Sequence, residues 1–313
     1  MANRIQSMSD GMFTHLVAKH TCFSGEAHNS FGRIHLPVSP ACNIQYRFCK
    51  RGLRLNKRKR HPGENYALLN PEEAVGVVEK ALELYPQITV AGIAGPGDTL
   101  ASDHALETFE LIHRKFPLLL NCLSTNGLLL KEKVERAFNA GVRTITVTVN
   151  SVNLKVLKNI FSYIMYNGQY MTGELAARWL ILAQLSGIEK AAKLGVVVKI
   201  NTFLVPGVND RHIGEVARVT SEVGASLINV IPLMSHLETE TNRPLACHEL
   251  NVARKEAEKY LPVFRYCQQC RVDVSGIPGS GIEFADVFYD HRPKLLRRFR
   301  NGSEKAISKA DIS

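Results

Sequence analysis

Six short runs of apolar, largely β-branched residues recur along the chain, at 34–38, 88–94, 118–123, 144–149, 196–205 and 227–232. Each is close to continuous instead of alternating with polar residues, the pattern of strands covered on both faces. Between them apolar positions fall three and four apart. This predicts helices over 71–84, around Leu106, Phe109 and Ile112, over 131–139, 154–160 and 173–194, and once more before Leu227. The first has a full start signal, with Asn70 at the N-cap, Pro71 at the first helical position and Glu73 placed to close a capping box. A last helix is predicted over 249–260. Strand and helix thus alternate in a parallel β/α array, with no internal repeat and no low-complexity linker to divide it before about residue 240.

In a parallel β/α barrel or partial barrel, ligands bind where strands end and loops begin. In chain order those ends carry Cys42 to Cys49, then Gly95-Pro96-Gly97-Asp98, Ser124-Thr125-Asn126, Asn150, Asn201 with Pro206-Gly207, and Ile231-Pro232. Glycines at 95 and 97 let a main chain approach a ligand and offer it N–H groups. Alone, Gly-Pro-Gly-Asp is ordinary turn chemistry. Polar or backbone-exposing residues at all six ends point to a ligand site.

With 313 residues and 45% hydrophobic content, the chain is long enough for one large domain with its own core. The first eleven residues are polar and no run of about 18 apolar residues occurs. Neither a signal peptide nor a membrane span is expected, and the reading is of a soluble cytoplasmic protein. Seven cysteines, at 22, 42, 49, 122, 247, 267 and 270, are odd in number and widely scattered, which points to metal ligation or buried thiols instead of disulfides. Cys247 is expected to be a small buried hydrophobe. The net charge of +10 is concentrated: seven Lys or Arg fall between positions 50 and 60, and Lys294, Arg297, Arg298 and Arg300 form a second cluster. Neither run is interleaved with aromatics, so nucleic acid is not an expected partner; an acidic redox protein or an anionic cluster substrate suits the charge.

The segment Cys42-Asn43-Ile44-Gln45-Tyr46-Arg47-Phe48-Cys49 is most of a Cys-x3-Cys-x2-Cys loop, in which three thiolates hold a four-iron cluster and leave one iron without a protein ligand. Around it stand Thr21-Cys22-Phe23-Ser24, Glu26-Ala27-His28, Arg33-Ile34-His35-Leu36-Pro37-Val38, Cys122-Leu123-Ser124-Thr125-Asn126-Gly127, Val205-Pro206-Gly207-Val208-Asn209-Asp210 and Cys267-Gln268-Gln269-Cys270-Arg271. In order and spacing, from about 21 to 281, these segments resemble the NifB family of radical S-adenosylmethionine (SAM) proteins of nitrogenase cofactor assembly.

The resemblance implies a parallel partial TIM-type (β/α)6 barrel of the radical SAM class with N- and C-terminal cluster-binding extensions. It divides the chain into an extension over 1–30, a core over 31–240, a Cys-x2-Cys segment over 241–285 and a basic, disordered tail over 286–313. It implies an enzyme that fuses two [4Fe-4S] precursor clusters into an eight-iron core and inserts a carbide derived from SAM. Cys42 and Cys49 match ligands of the SAM-binding [4Fe-4S] cluster, with Phe48 beside it. Gly95, Gly97, Asp98, Ser124, Asn126, Asn150, Asn201 and Ile231 fall where the family cradles SAM. Cys22, Cys267 and Cys270 match ligands of one precursor cluster, and His35 and Cys122 ligands of the other. The implied partners are iron–sulfur donor and cofactor scaffold or carrier proteins and a low-potential electron donor such as ferredoxin.

Two positions depart from the family pattern. Tyr46 stands where the middle cysteine belongs, and Leu55 where a third ligand of the His35 and Cys122 cluster can stand. A phenol is a poor substitute for a soft thiolate at a low-potential iron site. Three readings follow: an active maturase, a protein that binds precursor clusters without radical chemistry, or a non-enzymatic β/α scaffold with a basic partner-binding loop. Without the resemblance, His35 reads as a hydrogen-bonded strand histidine, and Cys267 and Cys270 as half of a zinc site with Cys247 and His248.

Overall fold

The computed structural model describes residues 16–49, 68–233, 245–266 and 274–278. A short helix α1 (Gly25–His28) leads into β1 (Gly32–His35) and β2 (Ile44–Tyr46). Then come α2 (Pro71–Leu84), β3 (Ile88–Ile93), α3 (His104–Lys115), β4 (Leu120–Thr125), α4 (Leu130–Asn139), β5 (Val142–Thr148) and α5 (Leu154–Leu157). A hairpin of β6 (Phe161–Tyr166) and β7 (Gln169–Met171) precedes α6 (Gly173–Lys193), β8 (Val197–Leu204), α7 (Ile213–Glu222), β9 (Leu227–Pro232), α8 (Cys247–Glu258) and β10 (Ser275–Gly276).

The six anticipated strands run parallel in the order β1-β3-β4-β5-β8-β9, and β10 joins β1 antiparallel at one edge. This is a parallel partial TIM-type barrel, as expected from the sequence. The last helix runs two residues earlier than the expected 249–260, and the one placed at 154–160 is a single turn ending at Leu157, whereas α2 lies where its start signal put it. At α2, Asn70 Oδ1 accepts from the Glu73 N–H at 2.8 Å and the Glu73 carboxylate from the Asn70 N–H at 2.9 Å, satisfying donors the helix cannot.

The strands use their two faces differently. Ile34, Ala91, Ile93, Leu123, Ile145, Val198, Ile200 and Ile228 pack with Val78, Phe109, Val134, Ile188 and Val216 of the surrounding helices in the main core. The alternate positions Val90, Cys122, Val197 and Leu227 point the other way, where Phe23 and Phe264 join them. The concave side is therefore filled from below by the segment before α1 and the segment after α8.

The structure corrects three further expectations. The strand placed at 118–123 begins two residues later, and Leu118 is 95% exposed. The stretch after α5 carries the β6–β7 hairpin, whose turn residues Asn167 and Gly168 both have positive φ, the signature of a two-residue Asn-Gly turn. Cys247 is exposed at the start of α8 instead of buried, because that helix turns Ala253 and Ala257 to the core. The basic runs, Leu55, Cys267, Cys270 and the proposed tail lie outside the described residues. Among the described residues, no helix is long and apolar enough to cross a membrane.

Candidate functional site

The C-terminal rim of the sheet is built by side chains that tie each strand end to the next. Asp98, after β3, is buried; its carboxylate accepts from Thr125 Oγ1 at 2.9 Å and from the N–H groups of Asn126 at 2.6 Å and Leu100 at 3.0 Å. Desolvation raises this carboxyl above its ordinary range, and those same hydrogen bonds pull it back. Asn126 Nδ2 donates to Asn43 Oδ1 at 2.6 Å, and its Oδ1 accepts from the Leu128 N–H at 2.8 Å. Gln184 of α6 reaches over to donate to the carbonyls of Asn126 at 2.7 Å and Thr148 at 2.9 Å. Farther round, Asn150 Oδ1 accepts from the Phe203 N–H at 2.9 Å, and Asn229 Nδ2 donates to Asn201 Oδ1 at 3.2 Å.

Asp98, Asn126 and Asn150 are thus buried in the framework of the rim, while Ser124, Asn201 and Ile231 are half-buried on it. Gly95 is buried as well. The N–H of Gly97 donates to the Ser39 carbonyl at 2.7 Å, and a Cβ there would stand 1.9 Å from the Ala41 oxygen. That glycine is required by the close passage of the chain before Cys42.

The cysteine segment is pinned to this rim and to the hairpin. Asp98 N–H donates to the Ala41 carbonyl at 2.8 Å, and β2 pairs antiparallel with β6, Ile44 opposite Ile164 and Tyr46 opposite Phe161. Gln45 Nε2 closes the turn by donating to the carbonyls of Cys49 at 2.8 Å and Tyr46 at 3.0 Å. Cys42 is exposed on one side and Cys49 half-buried. Protein around Cys42 nonetheless withdraws water and, with Asp98 and Cys49 adding to the effect, pushes its thiol up to about 11.

Tyr46 lies among these groups. Its ring stacks on Phe48 at 5.4 Å and 7°, and Phe48 leans on Phe203 at 5.1 Å. Its hydroxyl is buried without a hydrogen-bond partner among the described residues. Desolvation, followed by the charges of Asp98, Cys42 and Cys49, holds this phenol well above its ordinary value. Two thiols and a buried phenol in an aromatic stack do not make the three-thiolate set that a SAM-binding [4Fe-4S] cluster takes.

The concave face below the rim is better furnished. Strand register sets His35, Gly92, Cys122 and Thr144 side by side across four adjacent strands. The His35 ring covers Gly92, where a Cβ would lie 2.7 Å from His35 Cδ2. Burial pushes the Cys122 thiol up to about 12, the Thr144 hydroxyl opposing it; Cys22 adds to the rise and Lys199 counters it. Cys22 and Cys122, which the resemblance places at different clusters, therefore share one interior. Tyr266, immediately before Cys267 in the chain, packs against His28 with ring centroids 5.7 Å apart and fills the space beside Gly25. Among the described residues no three His, Cys, Asp or Glu side chains form a ready metal site.

Sequence reasoning passed over Asn43, Gln184, His20 and Lys199. Of these only Lys199 had a legible signal, a cation in the middle of a strand otherwise apolar from 196 to 200.

The model of the Radical SAM superfamily matches residues 36–219. The FeMo cofactor biosynthesis protein NifB of Methanocaldococcus infernus is 41% identical over 265 residues, covering 85% of this chain and 87% of that one. The NifB protein of Methanocaldococcus jannaschii is 40% identical, covering 90% and 94%, and that of Klebsiella pneumoniae 38% identical, covering 87% and 60%. Among solved structures, a radical SAM methyltransferase from Sphaerobacter thermophilus superposes with a TM-score of 0.55 at 18% identity, over 74% of this chain and 65% of that one. That likeness extends to the fold. The chain is a member of the radical SAM superfamily and, within it, of the NifB family of FeMo cofactor biosynthesis proteins.

Proposed function

We propose that the chain serves FeMo cofactor biosynthesis by holding [4Fe-4S] precursor clusters on the concave face of its barrel, the substrates that the family reaction fuses into an eight-iron core around a SAM-derived carbide. The observation that carries this reading is the row of His35, Gly92 and Cys122 across three adjacent strands, the His35 ring lying over Gly92, with Cys22 packed against the same interior. Cys22 with Cys267 and Cys270 would hold one cluster, and His35 with Cys122 the other. Thiolate and imidazole are the ligands such iron prefers. The protein's part is to bind, to orient and to exclude water, which Phe23 and Phe264 do at the base of the barrel. Iron–sulfur donors, scaffold or carrier proteins and a ferredoxin-like reductant are the partners this role requires.

The radical step needs a [4Fe-4S] cluster that generates a deoxyadenosyl radical from SAM, and the donor set of Cys42, Tyr46 and Cys49 does not fit it. That mismatch favours a second reading, in which the chain binds precursor clusters without radical chemistry. Anaerobic reconstitution with iron and sulfide, beside Tyr46→Cys, separates the two. Iron bound by both chains, with a SAM-perturbed EPR signal and 5′-deoxyadenosine from Tyr46→Cys alone, supports precursor binding without the radical step. Deoxyadenosine from the chain as it stands supports the full maturase, and no iron in either chain overturns both.

A further inference from the structure

We infer that Lys199 is a positioning residue, the counter-charge for an anionic iron–sulfur cluster held at Cys22 on the concave face. The inference rests on the reading that clusters bind there, and it concerns what makes their burial tolerable. A [4Fe-4S] cluster held by three thiolates carries net negative charge, and an anion taken from water into a protein interior must meet a fixed cation or donor.

Lys199 is placed for that task. It projects from near the start of β8 into the interior and is only 3% exposed. Lysine is rarely buried so completely without a charged partner. Here Nζ donates to the Cys22 carbonyl at 2.8 Å and lies 4.7 Å from the centre of the Phe23 ring and 5.4 Å from that of Phe264. A carbonyl and two ring faces compensate an ammonium in part, and none of them is an anion. One hydrogen bond leaves further N–H donors on the ammonium. The ammonium thus sits against the main chain of Cys22, on the same interior that the Cys122 side chain lines.

A second, independent observation points to an acceptor in the same place. His20 is completely buried, and its Nδ1 accepts from the Cys22 N–H at 3.1 Å, which leaves the ring hydrogen on Nε2. That Nε2 has no partner among the described residues. A buried donor left unmade is costly, and a cluster sulfide is an acceptor that would satisfy it. Lys199 and His20 grip the backbone of Cys22 from two sides, one at its carbonyl and the other at its N–H.

A purely structural pin would need Lys199 only as a hydrogen-bond donor to Cys22. Lys199→Gln keeps a donor and removes the charge, while Lys199→Arg keeps the charge; both are compared with the parent chain after anaerobic reconstitution with iron and sulfide, with circular dichroism melts to establish folding. The readouts are bound iron, its release to a ferrous chelator, and the midpoint potential of each cluster. The inference predicts that Lys199→Gln folds, loses iron about tenfold faster or more, and shifts the potential downward, while Lys199→Arg stays near the parent. Unchanged iron retention and potential in a folded Lys199→Gln overturn the counter-charge role and leave cluster binding standing. A parent chain that takes up no iron overturns cluster binding and this inference with it. If Lys199→Gln and Lys199→Met both fail to fold while Lys199→Arg folds, the charge serves the fold itself and the inference falls.

Discussion

Asn126 and Asn43 meet side chain to side chain at 2.6 Å, joining the end of β4 to the cysteine segment through two residues that are both buried. The Asn126 carboxamide is used from both ends, since its oxygen also accepts from the Leu128 N–H. Asn43→Ala removes the acceptor and leaves a buried amide donor unpaired. A loss of about 1–3 kcal/mol in denaturant unfolding is expected, with faster proteolysis near Cys42. Unchanged stability would mean that water replaces the bond.

Asp98 gives the rim a pH dependence whose sign follows from its raised carboxyl. The folded chain holds the proton to higher pH than the unfolded chain, so ionisation subtracts stability as pH climbs from the ordinary value of 3.8 to the raised one. The difference between the parent and Asp98→Asn should therefore move against the parent across that window and stay flat above it. Urea unfolding from pH 3 to pH 7 measures it; a difference moving the other way refutes the assignment.

Gly97 and Gly207 separate two reasons for glycine. At Gly97 a methyl would collide with the Ala41 oxygen at 1.9 Å, and Gly97→Ala should cost about 2–4 kcal/mol. At Gly207 a methyl meets nothing within 4 Å, but φ is +76°, so Gly207→Ala should cost only about 1 kcal/mol. Equal melting shifts would sink the distinction.

Tyr46→Phe deletes a buried hydroxyl that has no partner among the described residues and keeps the stack on Phe48. It should leave stability unchanged or raise it by about 1 kcal/mol. A loss above that would reveal a hydrogen bond to the Tyr46 hydroxyl.

Among the thiols of the described residues, Cys42 and Cys247 are exposed, with Cys42 pushed up to about 11, whereas Cys122 is buried and pushed up to about 12. Of these three, alkylation of the native chain at pH 8, read by peptide mass, should label Cys247 before Cys42 and Cys122 last. Early labelling of Cys122 would contradict its burial.

Much of this arrangement was legible in the chain. The barrel strands announced themselves because parallel strands buried on both faces must be apolar throughout, and α2 because Asn70, Pro71 and Glu73 leave little else for that segment to be. The hairpin was hidden because β6 buries Phe161 and Ile164 three apart, which mimics helical spacing, although Asn167-Gly168 carried the turn signal. The site was legible only as residue types at strand ends. That Asp98 and Asn126 spend their polar atoms on the rim itself, and that Gly97 yields to Ala41, depend on contacts between distant segments. No local pattern encodes them.

The pairing of β2 with β6 also orders events in time. Contacts between neighbours in sequence form at little entropic expense, whereas a ladder joining Ile44 to Ile164 must wait until everything between has been gathered in. The cysteine segment thus receives its final shape from a hairpin synthesised more than a hundred residues after it, so Cys42 and Cys49 reach their places relative to one another only when that hairpin docks.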